Sequence, residues 1–278
     1  IKEHLSYIKK DEMPIFLVDN SNYVARTSIV KSSETINEQI KEIIETLTIN
    51  SKKSTYIRDG FKPIIPENTK IIDLKLDNEI LTINFSKEFL TVNETNEEPM
   101  LEALIYSLTE LKEIKKIKIL VENIPFTKLP NSNKKLPEYL DKTYGINKIY
   151  NLNSLKETSK TTIYYLSKIN DYYYYVPVTK VSNEKLERVE IIIKELKSTP
   201  IYHTNLISYL KASANMTNYE LLENAISLSF NNYLIANMKE EQILEEVKYS
   251  IALSLRDTYG INEVIFNIPD SENSKISI

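Results

Sequence analysis

The sequence predicts an α+β fold: two tandem α/β-sandwich domains, each with two helices packed on one face of a small mixed or antiparallel sheet. Three observations carry this expectation. The stretch Glu97-Glu98-Pro99-Met100-Leu101-Glu102-Ala103-Leu104-Ile105-Tyr106-Ser107-Leu108 returns as Glu240-Glu241-Gln242-Ile243-Leu244-Glu245-Glu246-Val247-Lys248-Tyr249-Ser250-Ile251, with six identities and a spacing of 143 residues. That spacing is too long for a solenoid unit and suits a domain. Apolar stripes at helical period alternate with short period-two runs in both halves. No regular strand–helix–strand rhythm of about 30 residues runs through the chain, which argues against a doubly wound fold.

The elements follow in order. Pro14 to Val18, a turn at Asp19 to Asn22, and Tyr23 to Lys31 read as a hairpin. Ile36, Ile40, Ile43, Ile44 and Leu47 form one helical stripe, with Ser32 or Ser33 expected at its N-cap. Thr48 to Lys70 carries Gly60, Pro63 and Pro66 and reads as a long loop. Ile71 to Leu76 alternates, turns at Asp77-Asn78 and returns as Ile80 to Phe85. A second helix is expected from Thr95, with Glu98 completing a capping box and the stripe Leu101, Leu104, Leu108, Leu111. Ile117 to Glu122 closes the half as a strand.

The second half repeats this order. Thr162 to Leu166 and Tyr172 to Lys180 form a strand pair, and Leu186, Val189, Ile192, Ile193 and Leu196 a helix. Glu220 to Phe230 supplies strands, with Leu228-Ser229-Phe230 matching Ile83-Asn84-Phe85. A helix is expected from Asn237, with Glu240 at its cap and the stripe Ile243, Leu244, Val247, Ile251, Leu255, ending at Gly260. Ile261 to Ile268 is the closing strand. The expected organisation is a first domain over 11–125, a linker over 126–160, and a second domain over 161–278.

Composition narrows the function classes. There are no cysteines, which removes disulfides, thiolate nucleophiles and cysteine-based zinc sites. Net charge is −4, from 35 basic and 39 acidic residues with the signs interspersed, so no nucleic-acid partner is expected. Only Gly60, Gly145 and Gly260 are present, too few for a glycine-rich phosphate cradle. Tyrosine is abundant at 19 residues and tryptophan absent, which with the Lys, Asn and Ile richness reads as codon bias of an AT-rich genome. No stretch reaches the roughly 18 apolar residues of a membrane span. No signal peptide is visible, and because the chain begins at Ile1 that absence carries no weight.

Few constellations could carry chemistry. His4 and His203 have no neighbouring Asp, Glu or His at ligand or triad spacing, so no metal and no cofactor is expected. The duplicated glutamates Glu97-Glu98 and Glu240-Glu241 could form an acid pair. A first-turn capping and dipole role explains them more simply. The repeated Tyr106-Ser107 and Tyr249-Ser250 lack a partner base and read as helix surface against the core, so no catalytic residue is assigned. Tyr172-Tyr173-Tyr174-Tyr175 is the most unusual feature. In a strand two of these tyrosines join the core and two point away, and the outward pair is a candidate interface for a protein edge or a glycan.

The runs Leu74 to Phe89, Glu98 to Leu111 and Ile117 to Glu122 resemble the GerMN domain family. Asn131-Ser132, Tyr144 to Lys148 and Tyr174 to Lys180 are similar to its tandem form in sporulation and germination lipoproteins. The second copy departs more, with Asn231 where Ser86 stands, and Asn123 and Asn267 replace the family's usual glycine.

The resemblance implies a non-catalytic, extracytoplasmic scaffold in a spore-forming bacterium. It would be membrane-anchored through a lipid group absent from this chain. It would help assemble or localise the channel complex between mother cell and forespore, affecting spore formation and germination. The domains would be similar to ring-building motifs, with self-association admitted. The alternatives are a glycan-binding module or a peptidoglycan hydrolase, the latter requiring Glu98 or Glu241 in a cleft facing another carboxylate.

Overall fold

The computed structural model describes residues 3–4, 8–198, 205–235 and 242–278, with side chains throughout except at residues 3–4. Two compact units emerge, one over Tyr7–Asn147 and the other over Lys148–Ile278 joined by the N-terminal residues. The first described strand, β1 (Glu3–His4), belongs to the second unit, where it runs parallel to Tyr172 and Tyr173.

The first unit begins with the expected hairpin, β2 (Glu12–Asp19) and β3 (Val24–Val30), in register from Glu12 opposite Val30 to Val18 opposite Val24. Its turn is closed by Asp19, whose carboxylate accepts from the backbone N–H groups of Ser21 and Tyr23 at 2.8 and 2.9 Å. Helix α1 (Ile36–Leu47) buries Ile40, Ile43, Ile44 and Leu47, as the stripe predicts. Thr35 holds the N-cap position, two or three residues later than expected. Ser32 is instead recruited by Glu42, its hydroxyl donating at 2.7 Å. The loop to residue 70 contributes β4 (Phe61–Lys62), which pairs with the end of β2.

Strands β5 (Ile71–Asp77) and β6 (Ile80–Phe85) form the second hairpin. Its two turn residues are Asn78 and Glu79, both left-handed at φ 49° and 62°, so the turn sits one residue beyond the expected Asp77-Asn78. Helix α2 (Glu94–Leu108) is capped by Asn93, whose side chain accepts from the Asn96 N–H at 2.9 Å, and not by the Thr95/Glu98 box. Strand β7 (Lys116–Val121) returns parallel to β6, and β8 (Ile124–Pro125) folds back antiparallel. The sheet is therefore mixed, and β6–α2–β7 is a parallel crossover that the absence of a regular rhythm did not announce. Each unit also holds two small sheets where one was expected: β4-β2-β3 and β5-β6-β7-β8 in the first.

Residues 126–147, expected as linker, pack onto the first unit. Phe126 donates its N–H to Ile119 O and stacks edge-on to Phe89, itself stacked on Phe85 at 4.4 Å. Leu140, fully covered, bridges to Ile117.

The second unit opens with β9 (Ile149–Asn151), then the long hairpin β10 (Ser159–Ile169) and β11 (Tyr172–Ser182) with eleven paired positions. Helix α3 (Arg188–Lys197) starts behind Glu187, whose N–H donates to Glu190. Strands β12 (Met216–Leu221) and β13 (Ala225–Phe230) repeat the second hairpin, including its bulge. Helix α4 (Glu245–Tyr259) ends at Gly260, left-handed at φ 69° as predicted. Strand β14 (Glu263–Asn267) lies parallel to β13, and β15 (Ser274–Ser277) completes the sheet. Ile243 and Leu244, expected on the helical stripe, precede α4, and the expected cap at Asn237 and Glu240 lies outside the described residues.

Candidate functional site

The duplicated helix is the natural place to look for a site, and the structure changes its alignment. The strands that follow the two helices, Lys116 on β7 and Glu263 on β14, are offset by 147 residues, and the strands that precede them, Ile80 and Ala225, by 145. Helices α2 and α4 themselves overlay at 147, not 143. The buried positions agree. Met100, Ala103, Leu104, Ile105, Tyr106, Ser107 and Leu108 correspond to Val247, Ser250, Ile251, Ala252, Leu253, Ser254 and Leu255. The two registers differ by one helical turn, and an apolar stripe recurring every three to four residues overlays on itself after such a shift. The repeated Tyr-Ser pair is thus a coincidence of the stripe: the partner of Ser107 is Ser254, and the partner of Tyr106 is Leu253.

The true pair does structural chemistry. Ser107 Oγ accepts from the Phe16 N–H at 2.9 Å, and Ser254 Oγ from the Tyr164 N–H at 2.8 Å, each joining a helix to the first hairpin of its unit. Both serines are sealed from solvent, where an unsatisfied strand amide would be costly.

The glutamates part company. Glu97 is buried, and its carboxylate accepts from the backbone N–H groups of Asn131 and Ser132 at 2.9 and 3.0 Å and from the Asn131 side chain at 3.1 Å. Burial opposes ionisation, but the hydrogen bonds from Ser132 and Asn131 outweigh it and hold this carboxyl below the usual range. Glu97 therefore latches the 131–132 turn and is not a first-turn cap. Glu98 pairs with Lys134 and accepts from the Tyr144 hydroxyl at 2.5 Å, facing a cation and a phenol where a hydrolase would need a second carboxylate. Glu240 and Glu241 lie outside the described residues.

The tyrosine strand is the second correction. Pairing across β10–β11 puts Tyr173 and Tyr175 on one face and Tyr172 and Tyr174 on the other, yet all four are buried, none above 9 % exposed. The outward pair predicted from alternation is not found, because β11 is covered along its whole length. Tyr172 and Tyr174 stack at 6.1 Å, and Tyr173 lies under Lys168 and beside Tyr209. The hydrogen bond to Tyr173 together with burial pushes the Tyr209 phenol up to about 12.

Sequence reasoning missed two buried polar clusters. Lys180, on β11, is held by Glu184 and, at 2.6 Å, by Glu195 on α3. Burial opposes its charge, but the two carboxylates lift the ammonium above its ordinary value. Glu110, beyond the end of α2, gathers Lys142 at 2.7 Å and Arg26 at 3.9 Å. The second set comes from distant parts of the sequence and the first joins a strand to a loop and a helix, so no single periodic motif announced either. His4 contributes its backbone to β1, and His203 lies outside the described residues. Among the described residues no group of three His, Asp or Glu side chains could hold a metal ion, and no helix is long and apolar enough to cross a membrane.

Residues 7–127 match the Germane family, described as sporulation and spore germination. The spore germination protein GerM of Bacillus subtilis (strain 168) is 26 % identical over 257 residues, covering 90 % of this chain and 69 % of that protein. The solved tandem GerMN domains of the B. subtilis sporulation protein GerM superpose with a TM-score of 0.84 at 22 % identity. That match covers 94 % of this chain and 92 % of that one, and it establishes the shared fold. The chain is therefore similar to GerM along 90 % of its length and has the fold of the tandem GerMN domains, with residues 7–127 matched by the Germane family.

Proposed function

We propose that this chain is a non-catalytic scaffold of the sporulating cell envelope. It stands outside the cytoplasm, is held to the mother-cell membrane as a lipoprotein, and helps assemble or localise the protein complex that joins mother cell and forespore. The observation that carries the reading is kinship with GerM over 90 % of the chain, reaching through both domains. The site chemistry favours it over hydrolysis: Glu97 is locked in its ionised form by backbone donors, and Glu98 is neutralised by Lys134. A general acid needs the opposite environment.

The test is deletion of the gene in its spore-forming host, with counts of heat-resistant spores and of germinating spores. The expected result is a loss of both, restored by the intact gene and equally by Glu98→Gln. Normal spore yield and germination after deletion would sink the sporulation role. Failure of a folded Glu98→Gln protein to restore them would sink the non-catalytic one.

A further inference from the structure

Each four-stranded sheet has two outer strands, and three of these four edges are guarded. β8 is two residues long and one of them is Pro125, and β15 is four residues long. β5 sets Asp73, Lys75 and Asp77 along its length. Shortness, proline and charge are the devices that keep a free strand edge from pairing with other chains. β12 is less protected: Met216–Leu221 is six residues long, without proline and with Glu220 as its one charge. A bulge at Thr217 disturbs its start, which leaves Asn218 to Leu221 as the regular open run.

The backbone of this run is unpaired on its outer side. Leu222 donates its N–H to Ala225 O at 2.9 Å, closing the β12–β13 hairpin. Antiparallel alternation then turns the N–H and C=O of Tyr219 and Leu221 away from β13, where among the described residues no strand receives them. The side chains of both lie on the apolar face of the sheet. Leu221 is opposite Ile226, which neighbours Val264, and Tyr219 is opposite Leu228, which neighbours Phe266. Those four partners are sealed from solvent, whereas Leu221 is 54 % exposed and Tyr219 half-buried. The equivalent row of the first unit, Ile117, Leu81 and Leu76, ends in a half-buried leucine on the charge-guarded strand. The apolar row of the second sheet thus stops one strand short of closure.

We infer that β12 is a docking edge, to which another protein adds an extended, proline-free segment as an extra strand. The backbone of that segment takes the outward groups of Tyr219 and Leu221, and an apolar side chain beside Leu221 continues the row from Val264 and Ile226. A second copy of β12 does not fit. Two copies paired about a two-fold axis through Glu220 set that carboxylate against itself. An axis through Tyr219 runs the ladder into the bulge at Thr217, and one through Leu221 runs it past the end of the strand. The inference deepens the scaffold reading by naming how a partner is gripped, and rests on that reading for the setting in which the partner is met.

The experiment uses the intact chain and, as probe, a fluorescent peptide carrying the β13 sequence Ala225 to Phe230 between serine-glutamine ends. That sequence is the partner β12 already accepts on its other side. Anisotropy is expected to show binding that weakens at least about tenfold in Leu221→Pro, which removes an outward N–H and leaves the bonds to β13 in place. Ile72→Lys, a control on β5, is expected to bind as the unaltered chain does. A peptide N-methylated along the same run is expected not to bind, a result that holds even should Leu221→Pro misfold. Hydrogen exchange locates the site: the Leu221 amide exchanges fast in the free chain and slows at least about tenfold with peptide bound. Equal affinity of Leu221→Pro and the unaltered chain overturns the inference, as does binding of the methylated peptide, a Leu221 amide already slow in the free chain, or no binding up to about 1 mM peptide. Self-association in sedimentation that Leu221→Pro abolishes also overturns it, because the occupant is then a second copy. Spore counts after gene deletion test the scaffold reading and peptide binding tests the edge, so the two failures are told apart.

Discussion

Ser254 Oγ takes the backbone N–H of Tyr164 at 2.8 Å, across 90 residues of sequence, in the same way that Ser107 takes that of Phe16. This relationship sets the true register of the internal duplication, one helical turn away from the register in which the two sequences look most alike. Ser250, the apparent sequence partner of Ser107, has a buried hydroxyl oxygen without a hydrogen-bond partner.

Removing the right serine is therefore costly and removing the apparent one is not. Ser107→Ala and Ser254→Ala each destabilise their own unit by about 1–3 kcal/mol, the cost of orphaning a buried amide. Ser250→Ala is neutral or mildly stabilising, since it removes a polar atom that has no partner. Native-state hydrogen exchange at the Phe16 and Tyr164 amides reads each unit separately, and equal losses in Ser250→Ala and Ser254→Ala would restore the sequence register.

Glu97 makes the first unit acid-sensitive. Its folded pKa lies below its unfolded one, so its contribution is complete above the unfolded value and disappears as pH falls through the folded value. Urea stability of the first unit is expected to hold from neutrality to about pH 5 and to decline below about pH 4. Glu97→Gln costs about 1–3 kcal/mol at pH 7, because an amide N–H₂ then faces a backbone donor of Asn131 or Ser132, and it flattens the acid limb. An unchanged acid limb in that variant would show that another carboxylate is responsible.

The β5–β6 turn carries avoidable strain at Glu79, left-handed at φ 62° directly after Asn78 at 49°. Asparagine tolerates this region and glycine prefers it, which is why Asn-Gly is the favoured pair for such a turn. Glu79→Gly is expected to raise the stability of the first unit by about 1 kcal/mol, visible as a higher urea midpoint with an unchanged slope.

Burial of the tyrosine strand is open to chemical modification. Tetranitromethane should nitrate Tyr56, Tyr150 and Tyr233, which are 81 %, 63 % and 62 % exposed, well before Tyr172, Tyr173, Tyr174 or Tyr175. Peptide mapping by mass spectrometry gives the order, and early nitration of Tyr172 or Tyr174 would return that strand to consideration as an interface.

Much of the molecule is legible in its sequence because local physics decides it. The stripe Ile40, Ile43, Ile44, Leu47 can bury only as a helix, Gly260 is the residue that permits a left-handed stop, and the alternation from Ile71 to Leu76 suits a half-buried strand. Caps and turns were misplaced by one to three residues, at Thr35, Asn93 and Asn78-Glu79, because several neighbouring Ser, Thr, Asn and Asp residues satisfy the same local rule. Which one wins depends on distant claims, as when Glu42 takes Ser32.

The sequence by itself determined the α+β character of the chain, its division into two similar halves, and its resemblance to GerMN domains. Those rest on hydrophobic period and turn chemistry, which act between near neighbours. Tertiary structure alone decided that Glu97 is a latch for Asn131 and Ser132, that Tyr172 to Tyr175 have no open face, and that the duplication is offset by one helical turn. The physical reason is common to all three: burial and hydrogen-bond partners are set by segments tens of residues away. A pattern with the period of a helix or a strand says which face is apolar, not what lies against it.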